Sequence, residues 1–492
     1  MHGIPIGLWD RSPSLPIPLD ILLDVVQHLP IQTIMTLRQT SKAFYAVTRL
    51  RSLWALLLRT HVQEQNIPIP HLNGRLLDFL SASELEQLTC DALALRSNWA
   101  NPNPDPKREV DFYKPTEPNS RIIFMQFLPG RQNRWLISVT MTVQPKKFVI
   151  QCWDVAIPYP ACIAELTHMD GPYGGIVIND DPSSPAIIAM QSAQTEILTI
   201  DFDEEDPESA FVPLGAIDGV REVHLLSGHT LVTRRPGDGG EVGIWDLNDL
   251  REEKLQLVNP SLLQNDRCQA MLLRDDYIVV MRQQTIEFYS TVPRQNIIPT
   301  LGAPIAYPLS QHRFQWRADT VTMSEQVSWH AAHSCRPCPI NIFIRFGSIY
   351  PWPVNILHHF VLAPNPAYVP GRETSLYNLP YLSQPTPVQT IGSPVRLFGA
   401  STVALGKYGT ALWLDSHTED WLGPSDRGQR LAGKLVTVAG DPSSVNWQDN
   451  AKASMVFRVR EDDMWTKVAM DEESGRVAVG HVSGAITLFE YA

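Results

Sequence analysis

The sequence has few cysteines, no long apolar run and no excess of positive charge. Six cysteines in 492 residues do not make a disulfide framework. A reducing compartment, cytosol or nucleus, is therefore expected. No stretch approaches 18 or so consecutive apolar residues, so no membrane-spanning helix is read. Residues 1–10 lack a basic start followed by an apolar run, and no secretory leader is expected. The net charge of -12 argues against bulk nucleic-acid binding, which favours a basic face. The common catalytic signatures are missing too: no Gly-x-x-x-x-Gly-Lys-Ser/Thr phosphate loop, no Gly-x-Ser-x-Gly elbow and no His-Glu-x-x-His zinc motif. Asp462-Asp463 and Glu472-Glu473 are paired acids. Adjacent acids on a strand point to opposite faces and make no acid/base pair. A site assembled from distant segments is not excluded by these absences.

What is present reads as a folded chain of more than one domain. Hydrophobic residues make up 44% and charged residues 19%, a balance that supports a packed core. The length exceeds what one core usually organises. Forty scattered prolines point to many loops and short elements. Charge is uneven. Residues 1–60 carry six Lys and Arg against three Asp, a balance of +3, so the remainder carries -15. A small basic module on an acidic body suits an acidic protein partner, or is ordinary solvated charge.

Residues 16–60 are expected to be helical. Pro18 can open a helix, where its missing N–H costs nothing. Leu19, Leu22, Leu23, Val26 and Leu29 follow helical spacing, with Ile21 and Val25 beside the stripe. The apolar arc covers roughly 200° of the wheel, twice that of a simple surface helix. Such a helix buries one face in its own bundle and needs another surface for the second. Pro30 closes it. Ile34, Met35 and Leu37 form a short second helix. Thr40 is the expected cap of a third, with Phe44 and Val47, and Ser52 of a fourth, with Leu53, Trp54, Leu57 and Leu58. A further helix is expected over about 81–98, started by a capping box at Ser83-Glu84-Leu85-Glu86 and holding Leu85, Leu88, Ala92 and Leu95 on one face. Asn101 to Pro106 cannot continue it.

Beyond residue 118 short β-rich runs alternate with turn residues. Phe148 to Asp154, Glu196 to Asp201, Glu241 to Asp246 and Thr285 to Tyr289 end alike, about 45 residues apart, the period of a propeller blade. Ile340 to Phe346, Thr410 to Asp415 and Gly484 to Tyr491 are weaker members. An all-β propeller-like domain of about seven blades follows, with an irregular sandwich as the rival. The expected organisation is α+β and multidomain: a flexible N-terminus at 1–14, a helical bundle at 15–60, linker helices at 61–99, a proline-rich linker at 100–118 and the propeller at 119–492.

The segments Ile17-Pro18-Leu19-Asp20-Ile21-Leu22-Leu23 to Leu29-Pro30, Leu37-Arg38-Gln39-Thr40-Ser41-Lys42 and Leu53-Trp54 resemble the F-box family. Ile17 and Asp20 replace that pattern's usual leucine and glutamate, and Phe44 stands near its frequent tryptophan. The whole chain is also similar to the F-box proteins of mushroom-type fungi, in Asn98-Trp99, in Pro351 to His359 and in Trp465 to Gly480. The resemblance implies docking to the Skp adaptor through Pro18, Leu19, Leu22, Leu37, Ser41, Leu53 and Trp54, and through it to a cullin–RING ubiquitin ligase. Trp54 could equally be core. The β region departs from true WD repeats: Gly228-His229 precedes Trp245-Asp246 by far less than a blade.

Two clusters could hold metal. His330, His333, Cys335 and Cys338 are zinc-type ligands, but all fall within nine residues, where structural sites join separated pairs. The acidic run Asp201, Asp203 to Asp206 lacks the glycine and distal glutamate of a calcium loop. Both read as loops, and no cofactor is expected. The functional expectation is an adaptor for protein targets with no chemistry of its own. A scaffold outside any ligase and a propeller enzyme are the alternatives.

Overall fold

The computed structural model describes residues 18–113, 119–169, 175–219, 221–235, 240–261, 266–292, 297–298, 303–327, 329, 336–347, 356–393, 395, 402–416, 428–436 and 455–492. The expected flexible stretch 1–14 lies outside them. The chain divides into two compact units, Met1–Ser97 and Asn98–Tyr491.

The first unit is helical: α1 (Leu19–Val26), α2 (Ile31–Arg38), α3 (Lys42–Val47), α4 (Arg51–Leu58) and most of α5 (Ala82–Trp99). Pro18 and Pro30 stand at the N-caps of α1 and α2, with φ of -57° and -56°, values that the pyrrolidine ring imposes. The cap of α3 is Ser41, not Thr40: its hydroxyl accepts the Phe44 N–H at 3.2 Å, while the Thr40 hydroxyl turns back to the Leu37 carbonyl at 2.8 Å. Ser52 lies inside α4, whose cap position is Leu50. The capping box of α5 is Ser81 with Glu84, two residues earlier than expected, and each residue accepts the other's N–H. Leu85, Leu88, Ala92 and Leu95 are all buried, as their spacing requires.

The second unit is a seven-bladed propeller. Blade I is built from Ser120–Phe127, Trp135–Thr142, Lys147–Asp154 and Ala161–Met169. Blade II is built from Ile176–Ile178, Ile188–Gln191, Thr195–Ile200 and Phe211–Ile217. Blade III comprises Glu222–Ser227, Thr230–Arg234, Val242–Asp246 and Leu255–Leu257, and blade IV Cys268–Leu273, Tyr277–Arg282, Thr285–Ser290 and Ser310–Arg313. Blade V holds Ala318–Glu325, Ile340–Phe346, Ile356–Leu362 and Thr386–Gly392. Blade VI holds Val403–Leu405, Thr410–Ser416, Gln429–Leu435 and Met455–Arg460. Ile297–Ile298 and Ile305–Ala306 form a hairpin that returns to the outer edge of blade III and pairs parallel with Leu255–Leu257.

Blade VII joins Trp465–Asp471, Arg476–His481 and Ile486–Glu490 to Arg108–Phe112 from the other end of the unit. Its closing pair runs from Arg108 opposite Glu490 to Phe112 opposite Ile486. This closing strand falls within the stretch expected to be linker. The proline-rich loop before it is pinned by Asn98, whose side chain brackets the backbone of Asp105 at 2.7 and 2.9 Å. Trp99 is buried edge-on against Phe457 and Tyr491. A hydroxyl relay locks the closing strand: Thr487 donates to Asp111 at 2.5 Å, so His481 Nε2, 2.8 Å away, is the donor to Thr487.

Each of the seven recurrent endings falls in a different blade. Four, in blades I to IV, are third strands, and so is the last, in blade VII. The two weaker ones at 340–346 and 410–415 are second strands, which explains their irregular spacing. Threonine hydroxyls tie three of the junctions between successive blades. Thr322 donates to the Val403 carbonyl, Thr402 to Thr466 and Thr466 to Ile122, at 3.1, 3.3 and 2.9 Å.

Blades VI and VII are also clasped by a buried acid. Glu472 and Glu473 lie in the turn after Asp471, not in a strand. The Glu472 carboxylate accepts the N–H groups of Tyr408 and Thr410 at 2.6 and 2.7 Å. A Cβ at Gly406 would collide with that carboxylate, and Gly409 holds φ at +94°, so this turn needs both glycines. Burial pushes Glu472 up to about 7 despite the two N–H donors.

Candidate docking site

The helical unit sorts its apolar residues into two sets. Leu22 and Val26 of α1 are buried together with Ile34, Val47, Leu53, Trp54, Leu57 and Leu58. Ile21 and Val25, one turn apart and about 100° round α1 from Leu22 and Val26, are 52% and 55% exposed. Pro18 beside them is exposed as well. The wide apolar arc of α1 therefore divides: one half fills the bundle and the other faces solvent.

Arg38 holds the bundle together. Its guanidinium donates to both oxygens of Glu86 on α5 at 2.6 and 2.9 Å, a fork that fits a planar carboxylate. It also donates to the Thr48 hydroxyl and carbonyl at 3.2 and 2.9 Å. The Trp54 indole N–H donates to that same carbonyl at 2.8 Å, and the guanidinium lies over the indole ring. Trp54 is fully buried and serves the core.

Residues 15–56 match the model of the F-box domain. This stretch is an F-box domain. No curated protein matches the chain. Of the residues expected at the docking surface, Pro18 and Ser41 are exposed and Leu37 is half-buried; Ser41 is also the α3 cap. Leu22, Leu53 and Trp54 lie in the F-box core. The Leu19 side chain lies outside the described residues. The sequence alone does not single out Ile21 and Val25, because a helical wheel shows where apolar residues lie but not which half the bundle takes.

Two buried polar groups of the propeller that could titrate are held by their neighbours. In blade IV, Glu287 accepts from Arg282, Tyr289, Asn259 and Thr285 at 2.9, 2.7, 2.8 and 3.1 Å. A carboxylate with four donors has no lone pair left to take a substrate proton. In blade V, His359 lies stacked on Phe343 between Asn341 and Gln389, and burial holds its pKa down to about 3. It is a neutral core histidine.

His330, His333 and Cys335 lie outside the described residues. The Cys338 N–H donates to Glu325 and its carbonyl accepts the Tyr381 hydroxyl. Among the described residues no group of three His, Cys, Asp or Glu side chains is placed to hold a metal. Asp201, Asp203, Glu204, Glu205 and Asp206 are solvent-exposed, and Asp201 and Glu204 accept backbone N–H groups of their own turn.

Proposed function

We propose that this protein is the target-selecting subunit of a Skp–cullin–F-box ubiquitin ligase. The observation that carries the reading is an F-box domain at 15–56 whose first helix turns Ile21 and Val25 to solvent, followed by a closed seven-bladed ring. Exposed apolar side chains at i and i+4 on a rigid helix suit a partner groove. Docking to the Skp adaptor is assigned to Pro18, Ile21 and Val25 and, on the resemblance to the F-box pattern, to Leu19, Leu37 and Ser41. Leu22, Leu53 and Trp54 support that face from beneath. The propeller holds a target protein, and ubiquitin transfer is accelerated because enzyme and target share one assembly. No bond is made or broken by this chain in that role. Cytosol or nucleus is the proposed compartment, and the five described cysteines are all free thiols.

The test is affinity purification of the full chain followed by mass spectrometry, with the proteasome inhibited. The Skp adaptor and a cullin should co-purify. The adaptor without cullin refutes the ligase assignment and favours a scaffold. Absence of both refutes the docking assignment.

A further inference from the structure

Blade V carries a long excursion between its third and fourth strands, residues 363–385, built the opposite way round from an ordinary surface loop. Its polar side chains Thr374 and Asn378 are buried. The Asn378 amide donates to the carbonyls of Val369, Arg372 and Glu373 and accepts the Val369 N–H. Asn365 braces the Leu379 carbonyl at 2.9 Å and the Ala367 N–H at 3.0 Å. Tyr381, 1% exposed, anchors the base of the excursion through its hydroxyl on the Cys338 carbonyl. Apolar side chains at its tip are turned outward. A tight turn closed by the Asn378 N–H on the Ser375 carbonyl holds Leu376 and Tyr377 at its centre, 59% and 94% exposed. Mobile loops are usually polar outside and poorly braced. This one spends its hydrogen bonds on rigidity and displays a leucine and a tyrosine.

The tip also has a neighbour. The Thr374 hydroxyl donates to Asp276 at 2.5 Å, which fixes the excursion to the turn between the first two strands of blade IV. That turn supplies Leu273, Arg274 and Asp275 to a cleft of about 430 Å³ between blades III and IV. The cations of the cleft are occupied: Arg274 is paired with Glu325, and Lys254 lies 3.7 Å from Asp246. Asp275 is exposed and carries no ion pair among the described residues. Arg372 and Glu373 of the excursion offset each other, and Asp275 and Asp276 leave the balance beside the tip negative.

We infer that Leu376 and Tyr377 form a preorganised anchor for the target protein, entering an apolar pocket that lies beside a lysine or arginine able to pair with Asp275. A rigid aromatic on a braced turn loses little freedom on binding, which is what makes such residues effective anchors. The occupant is a target rather than a second copy of this chain because of area. Two side chains offer roughly 300–400 Å², against the roughly 800 Å² per partner of a stable interface. That suits a partner held briefly, and the inference rests on the adaptor reading.

The experiment places a photo-crosslinking amino acid at position 377 of the full chain, purified with its Skp adaptor. The cross-linked partner is then produced and titrated against the full chain. The expected result is a cross-link to a different polypeptide. Its affinity should fall at least about tenfold in L376S/Y377S. In D275N it should fall about two- to fivefold with a shallower salt dependence. Tyr159→Ser, an equally exposed tyrosine on blade I, should leave it unchanged. Equal binding by L376S/Y377S, a cross-link only to a second copy, or none at all overturns the inference. Retention of the Skp adaptor is read in the same samples, so failure of the anchor and failure of the adaptor reading are told apart.

Discussion

Glu472 offers a direct test of how blades VI and VII are joined. Its carboxylate is 5% exposed and accepts two backbone N–H groups from the neighbouring blade. Two effects oppose each other. Charge-assisted bonds from N–H groups favour the ionised acid, while desolvation favours the neutral one, and desolvation prevails, raising the acid from 4.5 to about 7. A folded-state value above the unfolded one means that the folded chain binds the proton more tightly. The contribution is fully present below pH 4.5 and is lost as pH rises through 7. That interval corresponds to about 3 kcal/mol. Glu472→Gln removes the titration and keeps the shape. The stability of the natural chain relative to E472Q should therefore fall by about 3 kcal/mol between pH 4.5 and 8. Asp471, pushed up to about 6 by burial, is common to both chains and cancels in the difference. Urea unfolding supplies the global value, and hydrogen exchange of a peptide spanning 406–412 reports the clasp itself. A difference that grows in favour of the natural chain as pH rises would show that the two N–H donors outweigh burial, and would refute the reasoning.

Four further outcomes are expected. Ile21→Asp with Val25→Asp should reduce capture of the Skp adaptor by at least about 100-fold, since each apolar side chain buried there is worth about 1.5–3 kcal/mol, while circular dichroism stays unchanged. Leu22→Asp should instead unfold the F-box, because it puts a charge into the core, and adaptor binding with a folded bundle would contradict that placement. Trp54→Phe loses the indole bond to the Thr48 carbonyl and should destabilise the F-box by about 1–3 kcal/mol, measured by thermal unfolding. Thr487→Val breaks the relay between Asp111 and His481; limited proteolysis near 107–113 should accelerate several-fold, and an unchanged rate would mean that backbone pairing alone keeps the ring shut.

The F-box was legible because its pattern is local: prolines at helix starts, leucines at helical spacing and an ordered motif across about forty residues. The propeller was legible through the recurrence of similar strand endings, five of them on third strands and two on second strands, which pointed to about seven blades without fixing the count. What escaped depends on residues far apart in sequence. Arg108–Phe112 looks like linker because its partner strand, Ile486–Glu490, lies at the other end of the unit. Arg38 reads as a motif letter until Glu86 and Thr48 are seen around it. Caps moved by one or two residues because serine and threonine near a helix start compete for the same N–H, and neighbouring geometry decides between them. Leu376 and Tyr377 carry no periodic signal at all. Their meaning comes from Asn378 and Thr374, whose bonds are made by the fold.

The closing blade also sets a timetable. Arg108 and its ion-pair partner Glu490 are separated by 382 residues. At ribosomal rates of about 5–20 residues per second, roughly 20–75 s pass between the synthesis of one and of the other. Through that interval Arg108–Phe112 has no strand to pair with, and the first six blades form an open arc. The F-box, made entirely before them, has all its own helices from the start. The F-box is complete first, and the propeller only when its last strand arrives.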